Sequence, residues 1–193
     1  HAHTNASHDM QQCPFDLYKC IRNLMGLMSN YTTGRHQKVT LSTLIDPTVP
    51  SFVIGDKQHL RQVLINLLRY VALNQAHHIH STTFPPTHLH RCSNALKFTR
   101  PGIPPVVTVG ASRSGELDQI HVSDNGVGIA QEHQGRIFGL FNRLHNRRRY
   151  DGTGLGLPIC QRIAELHQGR LTLDSSTDAG SRFTLHLPPA GRA

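Results

Sequence analysis

Apolar positions along this chain change period several times, and each change marks an element. Phe15, Leu17, Tyr18, Ile21, Leu24, Met25 and Met28 recur at helical spacing, which predicts a helix near residues 15–29. Val39, Leu41, Thr43 and Ile45 alternate and predict a strand, stopped by Asp46-Pro47. Asp56 then offers an N-cap to a strongly apolar helix bearing Leu60, Val63, Leu64, Leu67 and Leu68. Two more alternating runs, 106–109 and 119–122, flank Arg113-Ser114-Gly115-Glu116 and predict a hairpin. Residues 132–145 read as a short helix plus loop, 146–156 as a polar glycine-rich loop, and 157–167 as a helix ended by Gly169. Residues 170–174 and 181–187 alternate as two strands around Asp178-Ala179-Gly180. Strands and helices mix without a regular βαβ repeat. The expected fold class is therefore α/β, a two-layer sandwich with a mixed, mostly antiparallel sheet and helices on one face.

Composition narrows the possible partners. A chain of 193 residues, 37% hydrophobic, suits one compact domain. The expected bounds are a disordered tail over 1–13, the folded domain over 14–188, and a short tail over 189–193. No stretch approaches the ~20 apolar residues that cross a bilayer, and the start lacks a signal-peptide core, so a cytoplasmic protein without membrane contact is expected. Cys13, Cys20, Cys92 and Cys160 show no CxxC spacing, which argues against a zinc ribbon and a disulfide scaffold. The net charge is +8, yet apart from Arg147-Arg148-Arg149 the basic residues are scattered and not interleaved with aromatics. Nucleic acid is therefore not the expected partner, whereas a positive field suits a polyphosphate ligand.

Two glycine clusters carry the candidate chemistry. Asp124-Asn125-Gly126-Val127-Gly128-Ile129 follows an alternating strand. A carboxylate at a strand end can accept a hydrogen bond from an exocyclic amine, and glycines let the backbone approach a flat ring. Gly152-Thr153-Gly154-Leu155-Gly156 leads straight into a helix, where exposed backbone N–H groups and the helix N-terminus suit phosphates. It is not a Walker A loop, since no GK[ST] follows, nor a dinucleotide fingerprint, since no βαβ unit surrounds it.

The order of these segments adds more than either alone. Asn66, Asp124-x-Gly126-x-Gly128, Phe138-x-x-Phe141, Gly152-Thr153-Gly154-Leu155-Gly156 and Gly180-Ser181-Arg182-Phe183 resemble the N, G1, F, G2 and G3 boxes of sensor histidine kinases. The set is similar to their catalytic domain, the Bergerat ATP-binding fold shared with gyrase, the Hsp90 chaperones and MutL. Phe141-Asn142-Arg143-Leu144-His145 with Tyr150 is most similar to phytochrome-like and hybrid kinases. The resemblance implies that Asp124 holds the adenine amine, that Gly126, Gly128 and Ile129 shape the floor under the base, and that Phe138 belongs to the site. It implies Asn66 as the ligand of Mg²⁺, and Asn94, Lys97 and Arg143 at the phosphates. Gly152, Thr153, Gly154, Leu155 and Gly156 would form a lid over the triphosphate, and Thr184 would reach the adenine through water. ATPases of this superfamily carry a Glu one helical turn before the metal Asn. Gln62 stands there and cannot take a proton, which disfavours hydrolysis and fits phosphoryl transfer to a protein side chain.

The N box is interrupted. Asn66-Leu67-Leu68 and Ser93-Asn94-Ala95-Leu96-Lys97-Phe98-Thr99 are separated by residues 69–92, RYVALNQAHHIHSTTFPPTHLHRC. Without the insert, Asn94 would follow Asn66 by four positions on the same helix face. A translated intron explains the segment, since its boundary residues permit donor and acceptor splice signals and its removal restores an unbroken box. A metal site built from His77, His78, His80, His88 and His90 is the rival reading, though no Cys or carboxylate assists. Either the helix runs on into 69–76 and puts Tyr70 where an Asn is expected, or it loops the insert out from Leu68 to Ser93. The good helical fit of 93–99 favours looping out.

No acceptor histidine followed by an acidic residue and an Arg-Thr-Pro-like turn occurs in the chain. The function implied is the ATP-binding catalytic domain of a two-component sensor kinase. Its partners would be a histidine-bearing dimerisation domain and, downstream, a response-regulator receiver domain. The second reading is a nucleotide-binding or interaction module disabled by the insert.

Overall fold

A computed structural model describes residues 11–32, 39–72, 102–139, 155–177 and 179–189. Their elements, in chain order, are β1 (Cys13–Asp16), α1 (Leu17–Thr32), β2 (Thr40–Ile45), β3 (Phe52–Gly55), α2 (Lys57–Ala72), β4 (Val106–Ser114), β5 (Leu117–Asp124), α3 (Gln131–Gln134), α4 (Gly156–Leu166), β6 (Arg170–Ser176) and β7 (Gly180–Leu187). Five strands form one sheet in the order β2-β4-β5-β7-β6, and β1 pairs antiparallel with β3 in a separate ribbon. Only β2 runs parallel to its neighbour, β4; the other pairs of the main sheet are antiparallel.

Strand alternation divides the sheet into a dry and a wet face. Val107, Val109, Ala111, Ile120, Val122, Phe183 and Leu185 are buried against the helices. In-between positions are polar: Ser42 Oγ and Thr108 Oγ1 lie 2.7 Å apart, and Thr172 Oγ1 lies 2.9 Å from His186 Nε2. Helix α2 packs on β4 and β5, α4 on β6 and β7, and α1 against α2. The result is the two-layer arrangement expected from the sequence.

Asp56 caps α2 as its position suggested. Its Oδ1 accepts from the backbone N–H of Gln58 (2.9 Å) and His59 (3.0 Å), two of the donors a helix start leaves open. Its own N–H donates to His167 Nε2 at 3.1 Å, so that ring nitrogen is an acceptor. Nδ1–H is left to donate to the Ile163 carbonyl (2.8 Å). The start of α2 is thereby pinned to the end of α4. At that end the left-handed residue is Gln168 (φ 56°), not Gly169, which instead donates its N–H to the Ala164 carbonyl at 2.9 Å.

The end of α2 corrects an expectation. The helix does not loop out at Leu68 but continues through Arg69, Tyr70 and Val71 to Ala72. The insert continues the apolar stripe: Leu60, Val63, Leu64, Leu67, Leu68 and Val71 recur at three- and four-residue steps, and all are fully buried. Burial of Val71 holds this added turn, and Tyr70 takes the position one turn beyond Asn66. The rest of the insert lies outside the described residues.

Candidate functional site

The middle strand of the sheet carries Asp124 at its end, on the face turned to the helix layer. Asp124 closes β5 and shares a face with Val122 and Ile120, its side chain half-buried. Its Oδ1 accepts from the Gly126 N–H at 2.7 Å, and the Ser181 backbone N–H also bonds the carboxyl. Burial raises its pKa, and these two donors only partly offset the rise. A carboxylate offers about four lone-pair sites, so two remain for a ligand amine.

The loop after Asp124 is fastened on two sides. Asn125 Oδ1 accepts from the Val106 N–H (2.9 Å) while its Nδ2 donates to the Pro104 carbonyl (2.9 Å), tying the loop to the start of β4. Gly128 adopts φ 73°, a conformation that turns the chain back toward β6. There the Ile129 N–H donates to Ser175 Oγ (2.8 Å). Ser175 Oγ donates to the Gly180 carbonyl (2.9 Å) and lies 2.9 Å from Ser181 Oγ. Gln134 Nε2 completes the knot, donating to the carbonyls of Ile129 (2.9 Å) and Ser175 (2.7 Å). Gly180 crosses over Asp124 with φ 85°, and a Cβ there would strike the Asp124 carbonyl oxygen. Ser175→Ala leaves the Ile129 N–H without its acceptor and is expected to cost about 1–3 kcal/mol. Urea unfolding reads this; an unchanged midpoint would remove Ser175 from the support of the loop.

Asn66 sits farther along, on the face of α2 that meets α4. Its Oδ1 accepts from Gln62 Nε2 (3.0 Å), and its Nδ2 points to the Gly156 carbonyl (3.4 Å). Gly156 opens α4, whose start has no side-chain cap and no acid in its first turn, leaving backbone donors for an anion. The same seam buries Cys160 completely, and burial pushes its thiol up to about 12, with Asn66 bonding it. Phe138 contributes a ring edge-on to Phe183, centroids 6.5 Å apart.

Thr184 does not join this group. It pairs with His121 and Thr172, one register position from Phe183, so its side chain lies on the opposite face from Asp124. The hydroxyl on the Asp124 face is that of Ser181, which is buried. Alternation counted back from Phe183 would have found it. The anchoring roles of Asn125, Ser175 and Gln134 are not legible in the sequence, because each acts through a backbone partner distant along the chain. Asn94, Lys97, Arg143, Gly152, Thr153 and Gly154 lie outside the described residues; Leu155 and Gly156 stand at the start of α4. Among the described residues no cluster of three His, Cys, Asp or Glu could hold a metal ion. No helix there is long and apolar enough to cross a membrane.

A family model for histidine kinase-, DNA gyrase B-, and HSP90-like ATPases matches residues 89–191, more than half of the chain. The circadian input-output histidine kinase CikA of Synechococcus elongatus is 36% identical over 181 residues, covering 93% of this chain and 20% of its own length. The sensor histidine kinase RcsC of Escherichia coli is 31% identical over 157 residues, 80% of this chain and 14% of its own. Cyanobacterial phytochrome A of Nostoc sp. is 42% identical over 100 residues, 52% of this chain and 13% of its own. The chain thus spans a fifth or less of these relatives' length. Among solved structures, full-length ShkA in complex with AMPPNP aligns with a TM-score of 0.70 at 24% identity, over 96% of this chain and 32% of that one. The mycobacterial sensor histidine kinase MprB aligns with a TM-score of 0.64 at 21% identity, over 93% and 98%. At these identities the structural likeness shows the fold.

Proposed function

Because the chain belongs to the histidine kinase-, DNA gyrase B- and HSP90-like ATPase family and carries the ATP-binding catalytic domain of sensor histidine kinases, we propose that it positions ATP for phosphoryl transfer. The acceptor is a histidine on a dimerisation domain outside this chain. In that step the bond from the γ-phosphorus to the ADP oxygen breaks, a P–N bond to imidazole forms, and ADP leaves. The phosphoryl group then passes to a receiver domain, and the setting is cytoplasmic.

Within this reading Asp124 accepts from the adenine amine, and the Gly126–Ile129 backbone lies under the base. Lys97 and Arg143 meet phosphate oxygens, and residues 152–156 cover them. Gln62 and Asn66 stand together at the phosphate end, where a carboxamide in place of a carboxylate leaves no base to activate water. Asn66 Oδ1 suits Mg²⁺ as one ligand of an ion otherwise held by phosphates and water, provided Gln62 releases it. When bound, the ion neutralises charge on the transferring group.

The observation that carries this reading is the half-buried Asp124 carboxylate, held by two backbone donors at the sheet end with acceptor sites to spare. Adenine presents a donor to it, whereas guanine presents a carbonyl oxygen at the equivalent position. A fluorescent ATP analogue with Mg²⁺ is therefore expected to bind saturably and to be displaced by ATP in preference to GTP. Equal displacement by the two would contradict the role given to Asp124. Adding a dimerisation domain and ATP labelled at the γ-phosphate should then yield acid-labile phosphohistidine.

A further inference from the structure

Gln62, Asn66 and Tyr70 follow one another at four-residue steps along one face of α2. The first two are polar and hydrogen-bonded to each other. The third is a half-buried phenol ring packed against the core face of the sheet. Tyr70 meets Phe183 edge-on, with centroids 5.1 Å apart and planes at 75°, and Phe138 approaches the same Phe183 ring at 81°. Phe183 pairs with Val122, which lies two residues before Asp124 on the same face. Tyr70 therefore stands over the patch of sheet bordering the carboxylate. Burial raises the phenol pKa and the Asp124 charge raises it further, so the two groups lie within electrostatic reach and the phenol stays neutral.

We propose that Tyr70 occludes the nucleotide site: its ring fills space beside Asp124 that an adenine base requires, and nucleotide binds only by displacing the ring from Phe183. This rests on the reading of Asp124 as the adenine acceptor. A ring packed edge-on against Phe183 already covers that patch, and a base can take it only if the ring leaves its place. The helical turn that carries it is fixed by burial of Val71, so the displacement is one of side-chain rotation. Binding must then undo an aromatic pair and expose buried ring surface, a penalty that a small side chain at position 70 does not impose.

The test titrates a fluorescent ATP analogue with Mg²⁺ into the full chain and its variants. Tyr70→Ala and Tyr70→Asn are expected to bind about tenfold tighter than wild type. Tyr70→Phe keeps the ring and should gain far less; equal gains for Phe and Ala would assign the effect to the hydroxyl and overturn the ring's role. If Asp124→Asn weakens binding while Tyr70→Ala binds no tighter than wild type, the occlusion fails and the adenine site stands. If the tight binding of Tyr70→Ala survives Asp124→Asn, the adenine assignment fails instead. The wild-type chain supplies a measurement independent of variant folding. Nitration of Tyr70 by tetranitromethane should be slow and should accelerate when nucleotide is added; protection by nucleotide overturns the proposal.

Discussion

Asp124→Asn is expected to weaken nucleotide binding by about 30- to 150-fold, the equivalent of the roughly 2–3 kcal/mol that a hydrogen bond to a charged group contributes. The Gly126 N–H at the site will hold the amide oxygen in the place of Oδ1. The amide NH₂ is then turned toward the adenine amine, donor against donor. The same substitution is expected to leave the unliganded fold at least as stable as wild type near neutral pH. The Asp124 pKa is raised in the folded chain chiefly by burial, so the native state binds its proton more tightly than the unfolded state does. Ionisation of this group therefore costs stability. The cost is present above the folded pKa and disappears below the ordinary carboxylate value. Thermal melts of both proteins at neutral and at acid pH should show the advantage of the Asn variant shrinking as pH falls. An advantage that grows on acidification would contradict the burial argument. Loss of binding with retained stability is the pairing that separates a ligand contact from a structural one.

Gly180→Ala should be among the most damaging small substitutions in the chain. At φ 85° an L-residue is strained by about 1–2 kcal/mol, and the new methyl would strike the Asp124 carbonyl oxygen and crowd Asn125 Cα. The atoms struck are backbone, so no flexible side chain can swing aside. Relief requires β7 to move off β5, adding about 1–3 kcal/mol of the kind seen on overpacking. A total loss of about 2–4 kcal/mol in urea unfolding is expected, with weakened nucleotide binding because the shift passes directly into Asp124 and the Ser181 N–H that holds it. A change under about 0.5 kcal/mol would show that the crossing adjusts freely.

Where apolar periodicity was long, it foretold structure well. Helices α1 and α4 and strands β4, β5, β6 and β7 lie where the pattern put them, since each buries one face along its length. β1 and β3 were not legible as strands: four residues each display too little alternation, and their pairing joins segments far apart in sequence. The end of α2 was misjudged because the match of 93–99 to an unbroken box outweighed a nearer signal, Val71 extending the stripe begun at Leu60. Asp124 could be singled out because it follows an alternating strand and precedes glycines. Thr184 was misassigned for the opposite reason: a hydroxyl's composition says nothing about its face. Only the register of β7 against β5 decides between Thr184 and Ser181. Hydrogen bonds from side chain to distant backbone, such as those of Asn125, Ser175 and Gln134, leave no periodic trace.

The knot around Ser175 has a consequence for selectivity. With Asn125 anchored on one side and Ile129 on the other, the segment between them cannot follow the outline of whatever enters. Recognition at this end then works as a template rather than a glove. A purine analogue one substituent too bulky would forfeit all of its contacts together, while one of the right outline would gain them without any rearrangement of the walls.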